Sequence, residues 1–147
     1  QRLGEVGGVC VVDDYAHRPT EVAATIAAAR GAYPGRRLVV AFQPHLYSRT
    51  RDFAEGFAQA LTNSDAVFLT ALYPSREQPI VGVSSALIAD PLTRAGRAPQ
   101  WTGARGDAAT ALASFARAGD VVLTMGAGDI TQTGPELLAL LRTRGPA

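Results

Sequence analysis

The sequence predicts an α/β fold: a single domain over residues 1–147, with a Rossmann-like, mostly parallel sheet and helices on both faces. Three observations lead there. Runs at 9–12, 38–42, 66–69 and 121–125 are almost wholly apolar, as strands covered on both sides must be. Segments with apolar residues at helical spacing separate those runs, the pattern of strand–helix–strand units. The composition, 47% hydrophobic and 18% charged over 147 residues, supports one buried core and argues against disorder.

Residues 2–6 read as an edge strand that turns through Gly7-Gly8 into the first buried strand at 9–12. Pro19 has the fixed φ that suits a first helical position, and it opens a helix with Val22, Ile26 and Ala29 on its apolar face. Gly31 and Pro34-Gly35 stop that helix. After the strand at 38–42, a loop is expected at 43–50. Phe53, Phe57, Ala60 and Leu61 then mark a second amphipathic helix, with Asp52 and Glu55 in its first turns, where they suit its dipole. The strand at 66–69 leads to a long loop, 73–83, carrying Pro74, Pro79 and Gly82. Ser84 or Ser85 caps the next helix through Leu87 and Ile88, which Asp90-Pro91 bends or ends. A short strand at 98–101 and a helix from Asp107 through Leu112 and Phe115 precede the last central strand at 121–125. Gly126-Ala127-Gly128-Asp129 makes a tight loop, and Pro135 opens a terminal helix with Leu137, Leu138 and Leu141. There is no internal repeat and no low-complexity segment.

Several function classes drop out. The net charge of +1 gives no field to recruit nucleic acid or anionic lipid. No apolar stretch reaches the roughly 18 residues of a membrane span, and no secretory signal opens the chain, so a cytoplasmic protein is expected. The single Cys10 lies in an apolar run and reads as a buried small side chain. Two histidines and one cysteine show no zinc spacing, so no metal site is assigned, and no serine sits in a G-x-S-x-G elbow. All fourteen basic residues are arginines; a P-loop, whose terminal lysine binds phosphate, cannot exist here. The Gly126-Ala127-Gly128 loop is a weak dinucleotide fingerprint, because Thr131 stands where the third glycine belongs. Asp13 at a strand end suits either a ligand or an internal hydrogen-bonding role.

In open α/β sheets ligands gather outside the carboxyl ends of the strands. That rule selects the segments 13–20, 43–50, 72–82 and 126–133. Asp14-Tyr15-Ala16-His17-Arg18-Pro19-Thr20 sets a carboxylate, a phenol, an imidazole and a guanidinium before a helix start. Gln43-Pro44-His45-Leu46-Tyr47-Ser48-Arg49-Thr50-Arg51 adds a second imidazole and two arginines. Arginines bind carboxylate or phosphate through paired hydrogen bonds, and helix N-termini favour anions, so an anionic ligand is expected.

These same segments resemble the carboxy-terminal domain of the Mur ligase family. Residues 12–22 are similar to its D-D-Y-[AG]-H-H-P-T-E segment, and Phe42 through Arg51 to its F-Q-P-H-R-Y-[ST]-R-T-R segment. Tyr73-Pro74-Ser75-Arg76-Glu77-Gln78-Pro79-Ile80 and Gly119-Asp120 through Gly126-Ala127-Gly128-Asp129-Ile130 continue the similarity in order. The second segment points to the alanine-adding branch. The resemblance implies one domain of three, the others being an amino-terminal UDP-sugar domain and a central domain with the P-loop. It implies ATP- and magnesium-dependent amide formation through an acyl phosphate, in peptidoglycan precursor synthesis, with UDP-N-acetylmuramate and L-alanine as substrates. The magnesium and most of the phosphates would be held by the central domain, and this chain alone would be inactive. By the same resemblance, Asp14 binds the ATP ribose and Tyr15 lies by the nucleotide. His17 and Arg49 face the amino-acid carboxylate and the reacting groups, with His45 close by.

Two positions depart from the family pattern: Arg18 replaces its second histidine, and Leu46 replaces an arginine that helps hold the amino acid. Arg18 or Arg51 would be the substitutes. Other readings remain open: a related ligase domain with another amino-acid or peptide acceptor, a stand-alone module binding an acidic metabolite, or an interaction domain. The chain opens on Gln1 and reaches its first strand within a few residues, so a domain cut from a longer polypeptide is expected.

Overall fold

Strand side chains alternate between two cores, and that alternation sets the layers. The computed structural model describes residues 1–144, so the last three positions of the expected domain lie outside the described residues. Six strands, β1 (Arg2–Val6), β2 (Val9–Asp14), β3 (Leu38–Phe42), β4 (Ala66–Thr70), β5 (Trp101–Gly103) and β6 (Val121–Met125), form one sheet in the order β1-β2-β6-β3-β4-β5. All neighbours are parallel except the hairpin of β1 on β2. Gly7 and Gly8 make that turn with φ of 60° and 80°, a backbone region that glycine enters without steric cost.

Cys10, Leu38, Val40, Phe42, Val67, Leu69, Leu123 and Met125 face one side, against helices α1 (Pro19–Ala32), α2 (Tyr47–Leu61) and α3 (Ala86–Arg94). Val9, Val11, Val39, Ala41, Phe68 and Val122 face the other, against α4 (Ala108–Phe115) and α5 (Thr133–Thr143). The expected α/β sheet with helices on both faces is therefore present. No helix among the described residues is long and apolar enough to cross a membrane.

Several boundaries differ from expectation. The loop expected at 43–50 ends early, because α2 begins at Tyr47; its start carries no Ser, Thr, Asp or Asn cap that a sequence reading could detect. Phe53 was expected on the apolar face, but it is half exposed, since non-helical angles (φ −123°, ψ 16°) kink α2 there and turn the ring outward. Pro91 does not end α3, which continues to Arg94; the short helix tolerates the loss of one backbone donor because Ile88 and Leu92 bury its inner face. The short strand lies at Trp101–Gly103 rather than 98–101, in register with Phe68 to Thr70. Single-turn 3₁₀ segments, Arg105–Asp107 and Asp129–Gln132, precede α4 and α5, so α5 starts two residues before Pro135. Asp107 occupies the cap position of α4 without a side-chain cap bond, and the Ser84 hydroxyl, not Ser85, accepts from the Ala86 N–H.

The register fixes where the site falls. Asp14 pairs with Met125, Phe42 also pairs with Met125, and Leu69 pairs with Phe42. One transverse row thus ends β2, β6 and β3 together. Beyond it β6 sends the chain to the α5 face, while β2 and β3 send theirs to the α1–α2 face. Adjacent strands diverging in this way leave a crevice above their carboxyl ends.

Candidate functional site

Asp14 is the last residue of β2, and its Oδ1 accepts the Ala16 N–H at 2.8 Å and the Thr25 hydroxyl at 3.4 Å. These bonds turn the chain outward before α1 and leave Oδ2 without a partner among the described residues. Arg18 then adopts extended angles, as a residue before proline does, and Pro19 starts α1. Tyr15 is 69% exposed above this turn. Asp14, Tyr15, Ala16, Glu21, Ala24 and Thr25 line a shallow open hollow. A free carboxylate oxygen beside an exposed phenol ring and small side chains fits a ribose with a base laid against the ring. The residues present therefore fit the ribose of a nucleotide. No group of three or more His, Cys, Asp or Glu among the described residues is placed to hold a metal ion, so magnesium is assigned to none of them.

His17 lies inward of Tyr15. Its Nδ1 is 3.0 Å from the Tyr15 carbonyl oxygen and 3.5 Å from Glu21 Oε1, and its backbone N–H donates to that same oxygen at 3.1 Å. This N–H is the main reason that Glu21 titrates below its ordinary range. The Tyr15 and His17 rings meet edge to face at 5.0 Å, and His17 and His45 at 6.2 Å. His45 stacks on Tyr73 at 5.7 Å and 13°. Arg49 Nη1 closes the row, 3.4 Å from His45 Nδ1. Burial first, then the charges of Arg49 and His17, push His45 below the usual imidazole value, with Glu77 acting weakly the other way.

The five residues singled out in the sequence, Asp14, Tyr15, His17, His45 and Arg49, thus form one continuous edge of the crevice. Arg18 and Arg51 do not join it. Arg18 is exposed, and Arg51 turns away to pair with Asp52 at 2.8 Å. In this arrangement neither side chain is directed into the row that ends at Arg49.

The other side of the crevice is built by Gln43, to which the sequence gave no role of its own, by the loop after β6 and by Asp13. Gln43 is 2% exposed; its Nε2 donates to Asp129 Oδ1 at 2.7 Å and its Oε1 accepts the Ile130 N–H at 3.1 Å. A Cβ at Gly126 would meet Ile130 at 2.8 Å and the Gln43 carbonyl at 3.0 Å. One at Gly128 would meet Gln43 Oε1 and the Tyr73 ring, each at 2.6 Å. The glycines of this loop therefore serve close packing against β3. Asp13 accepts from the Thr124 hydroxyl at 2.7 Å and the Thr131 hydroxyl at 3.1 Å, and this ties the loop to β2. Tyr73 and Glu77 sit in a segment that the carboxyl-end rule flags and that continues the family resemblance, but neither signal gave them a role.

The family signature described as "Mur ligase, glutamate ligase domain" matches residues 1–128. A UDP-N-acetylmuramate–L-alanine ligase of Mycolicibacterium gilvum is 51% identical over 97% of this chain and 30% of its own length. The ligase of the same name from Cutibacterium acnes is 49% identical over 96% of this chain and 30% of its own. Among solved structures, the UDP-N-acetylmuramate-alanine ligase of Thermotoga maritima superposes with a TM-score of 0.75 at 26% identity, over 92% of this chain and 27% of that one. The murein peptide ligase of Psychrobacter arcticus shares the fold, with a TM-score of 0.77 at 24% identity over 96% of this chain and 29% of that one. The chain spans about 30% of the length of the curated relatives it matches, their carboxy-terminal part. With a family signature over most of its length and relatives at about half identity across nearly all of it, the chain belongs to the Mur ligase family, as a carboxy-terminal domain.

Proposed function

We propose that this chain is the domain of a UDP-N-acetylmuramate–L-alanine ligase that holds the incoming amino acid and the ribose of ATP. One observation carries the reading: a half-buried arginine, Arg49, stands beside His45 and His17 at the carboxyl ends of the strands and forms no ion pair among the described residues. An arginine without a carboxylate partner at a ligand-binding edge is matched to an external carboxylate, which it can grip through two parallel bonds.

Mur ligases are ATP-dependent, and bound ATP supplies the phosphoryl group that activates the sugar carboxylate. This domain's residues bind and orient. Asp14 Oδ2 accepts from the ribose hydroxyls and Tyr15 covers the base. Arg49 fixes the amino-acid carboxylate, with His45 and His17 along the same edge. Holding the carboxylate aims the amine, and such orientation is a large part of what a two-substrate site contributes. His45, whose protonation is disfavoured by burial and by Arg49, lies along that edge as a substrate contact. UDP-N-acetylmuramate, the central domain and the amino-terminal domain are the implied partners, and the cytoplasmic location expected from the sequence goes with this reading.

The test is phosphate release from ATP by the ligase that carries this domain, with UDP-N-acetylmuramate and each of a panel of amino acids. L-Alanine as preferred acceptor supports the proposal; preference for another acceptor overturns it in favour of the related-ligase reading. This chain alone, which has no lysine and so no P-loop, is expected to release none.

A further inference from the structure

The start of α2 is held from outside its own helix. Leu46, the residue before it, has φ 72° and ψ 136°, a conformation that strains an L residue and persists only where neighbours enforce it. Its side chain cannot cap a helix. The Ser48 N–H in the first turn is taken instead by Glu77, from the loop after β4: it donates to Oε1 at 3.0 Å, while the Ser48 hydroxyl donates to Oε2. A carboxylate here satisfies an otherwise unpaired donor and faces the positive end of the helix. The two Ser48 bonds also hold the Glu77 carboxyl below the usual range. The same loop grips the residues just upstream. Leu46 N donates to the Tyr73 carbonyl at 2.9 Å, Tyr73 N to the Pro44 carbonyl at 2.8 Å, and the Tyr73 ring stacks on His45. Arg49 follows Ser48 directly, so its direction depends on that capped turn.

We propose that Glu77 is a positioning residue of the acceptor site: by capping the first turn of α2 from the loop after β4, it holds Arg49 where an amino-acid carboxylate meets it. The inference rests on the reading of Arg49 as the acceptor's ligand. Glu77 touches no substrate and acts through Ser48 and Arg49.

The experiment is a cycle of Glu77→Ala, Glu77→Gln, Arg49→Ala and the Glu77→Ala/Arg49→Ala pair, in the ligase that carries this domain, with L-alanine and ATP titrated separately. Glu77→Ala is expected to raise the L-alanine KM about fivefold, the scale of losing one helix cap, with the ATP KM unchanged. Glu77→Gln keeps an acceptor oxygen for Ser48 and restores most of the affinity. In the Arg49→Ala background, Glu77→Ala adds nothing. An unchanged L-alanine KM in Glu77→Ala, where Arg49→Ala does raise it, overturns the positioning role and leaves the site assignment intact. Full additivity of the two changes also overturns it, because a merely structural Glu77 would not act through Arg49. An unchanged KM in Arg49→Ala removes the underlying reading and Glu77's role with it. Should Glu77→Ala fail to fold, Ser48→Ala, which deletes one of the two bonds, takes its place in the cycle.

Discussion

Arg49 and His45 stand four residues apart with Nη1 and Nδ1 at 3.4 Å, and the guanidinium forms no ion pair among the described residues. A cation beside an imidazole is an unfavourable neighbour for its protonated form, and the proposed reading adds an anionic group beside both. The family's second arginine is absent because Leu46 stands there, and Arg51 is engaged by Asp52. On the proposed reading, Arg49 would therefore carry more of the carboxylate binding than it would with a partner.

Arg49→Ala in the ligase that carries this domain should raise the L-alanine KM about tenfold or more, from about 1.4 kcal/mol upward. The ATP KM should hardly change. Arg49→Lys keeps the charge but loses the planar fork, and its L-alanine KM should still rise markedly. Steady-state titrations of the three proteins check this; equal L-alanine constants would move suspicion away from the residue.

His45 gives a pH dependence with a defined sign. Its folded value lies below the ordinary imidazole value, mainly through burial and then through Arg49. The unfolded chain therefore binds a proton more readily than the folded one. Above about pH 6.5 both states leave His45 neutral and it costs nothing; below that the unfolded state gains protons first, and stability falls toward the folded pKa. Thermal melts of the chain between pH 8 and pH 5 should show this loss, and His45→Gln should flatten the curve over that window. An NMR titration should find the His45 ring titrating below pH 6.5, and shifting upward in Arg49→Ala.

Asp14 has a divided carboxylate: Oδ1 holds the turn through Ala16 N–H, and Oδ2 is free among the described residues. Asp14→Asn keeps an oxygen for the turn but loses the charge, whereas Asp14→Ala loses both. Both should raise the ATP KM, Asp14→Ala by the loss of a charged hydrogen bond, about 1.5–3 kcal/mol, while the L-alanine KM changes less. If Asp14→Asn matches the parent in ATP dependence and only Asp14→Ala is impaired, Asp14 is a turn residue and not a ribose ligand.

The sheet was legible because its signals are local. A strand covered on both sides must be apolar at nearly every position, and Leu38–Phe42 shows this with five buried residues in a row. The carboxyl-end rule also marked the loops that the structure brings together, since it depends only on strand direction. What stayed hidden depends on contacts between distant residues. The start of α2 at Tyr47 is one case: its capping carboxylate comes from Glu77, 29 positions beyond the Ser48 it bonds. The β6 loop is another. Its glycines resemble a phosphate cradle in sequence, yet here they make room for Gln43 and Tyr73, and no spacing within the loop reveals that.

Gly128→Ala tests that packing reading directly. The added methyl would lie 2.6 Å from both Gln43 Oε1 and the Tyr73 ring, so one of them must move. Gln43 is buried and bonded at both ends, to Asp129 and to the Ile130 N–H; displacing it leaves buried polar groups unpaired, at about 1–3 kcal/mol. Moving Tyr73 instead breaks its stack on His45, and overpacking of this kind costs a further ~1–3 kcal/mol. The variant should therefore unfold at lower denaturant concentration with an unchanged slope. In the ligase its L-alanine KM should rise even where the protein remains folded, because the His45 ring loses its support. Gly106→Ala, at a position where a Cβ meets nothing within 4 Å, is the matched control and should leave both measurements unchanged. A phosphate-binding loop would respond differently: Gly128→Ala would then weaken ATP and spare both the stability and the L-alanine constant.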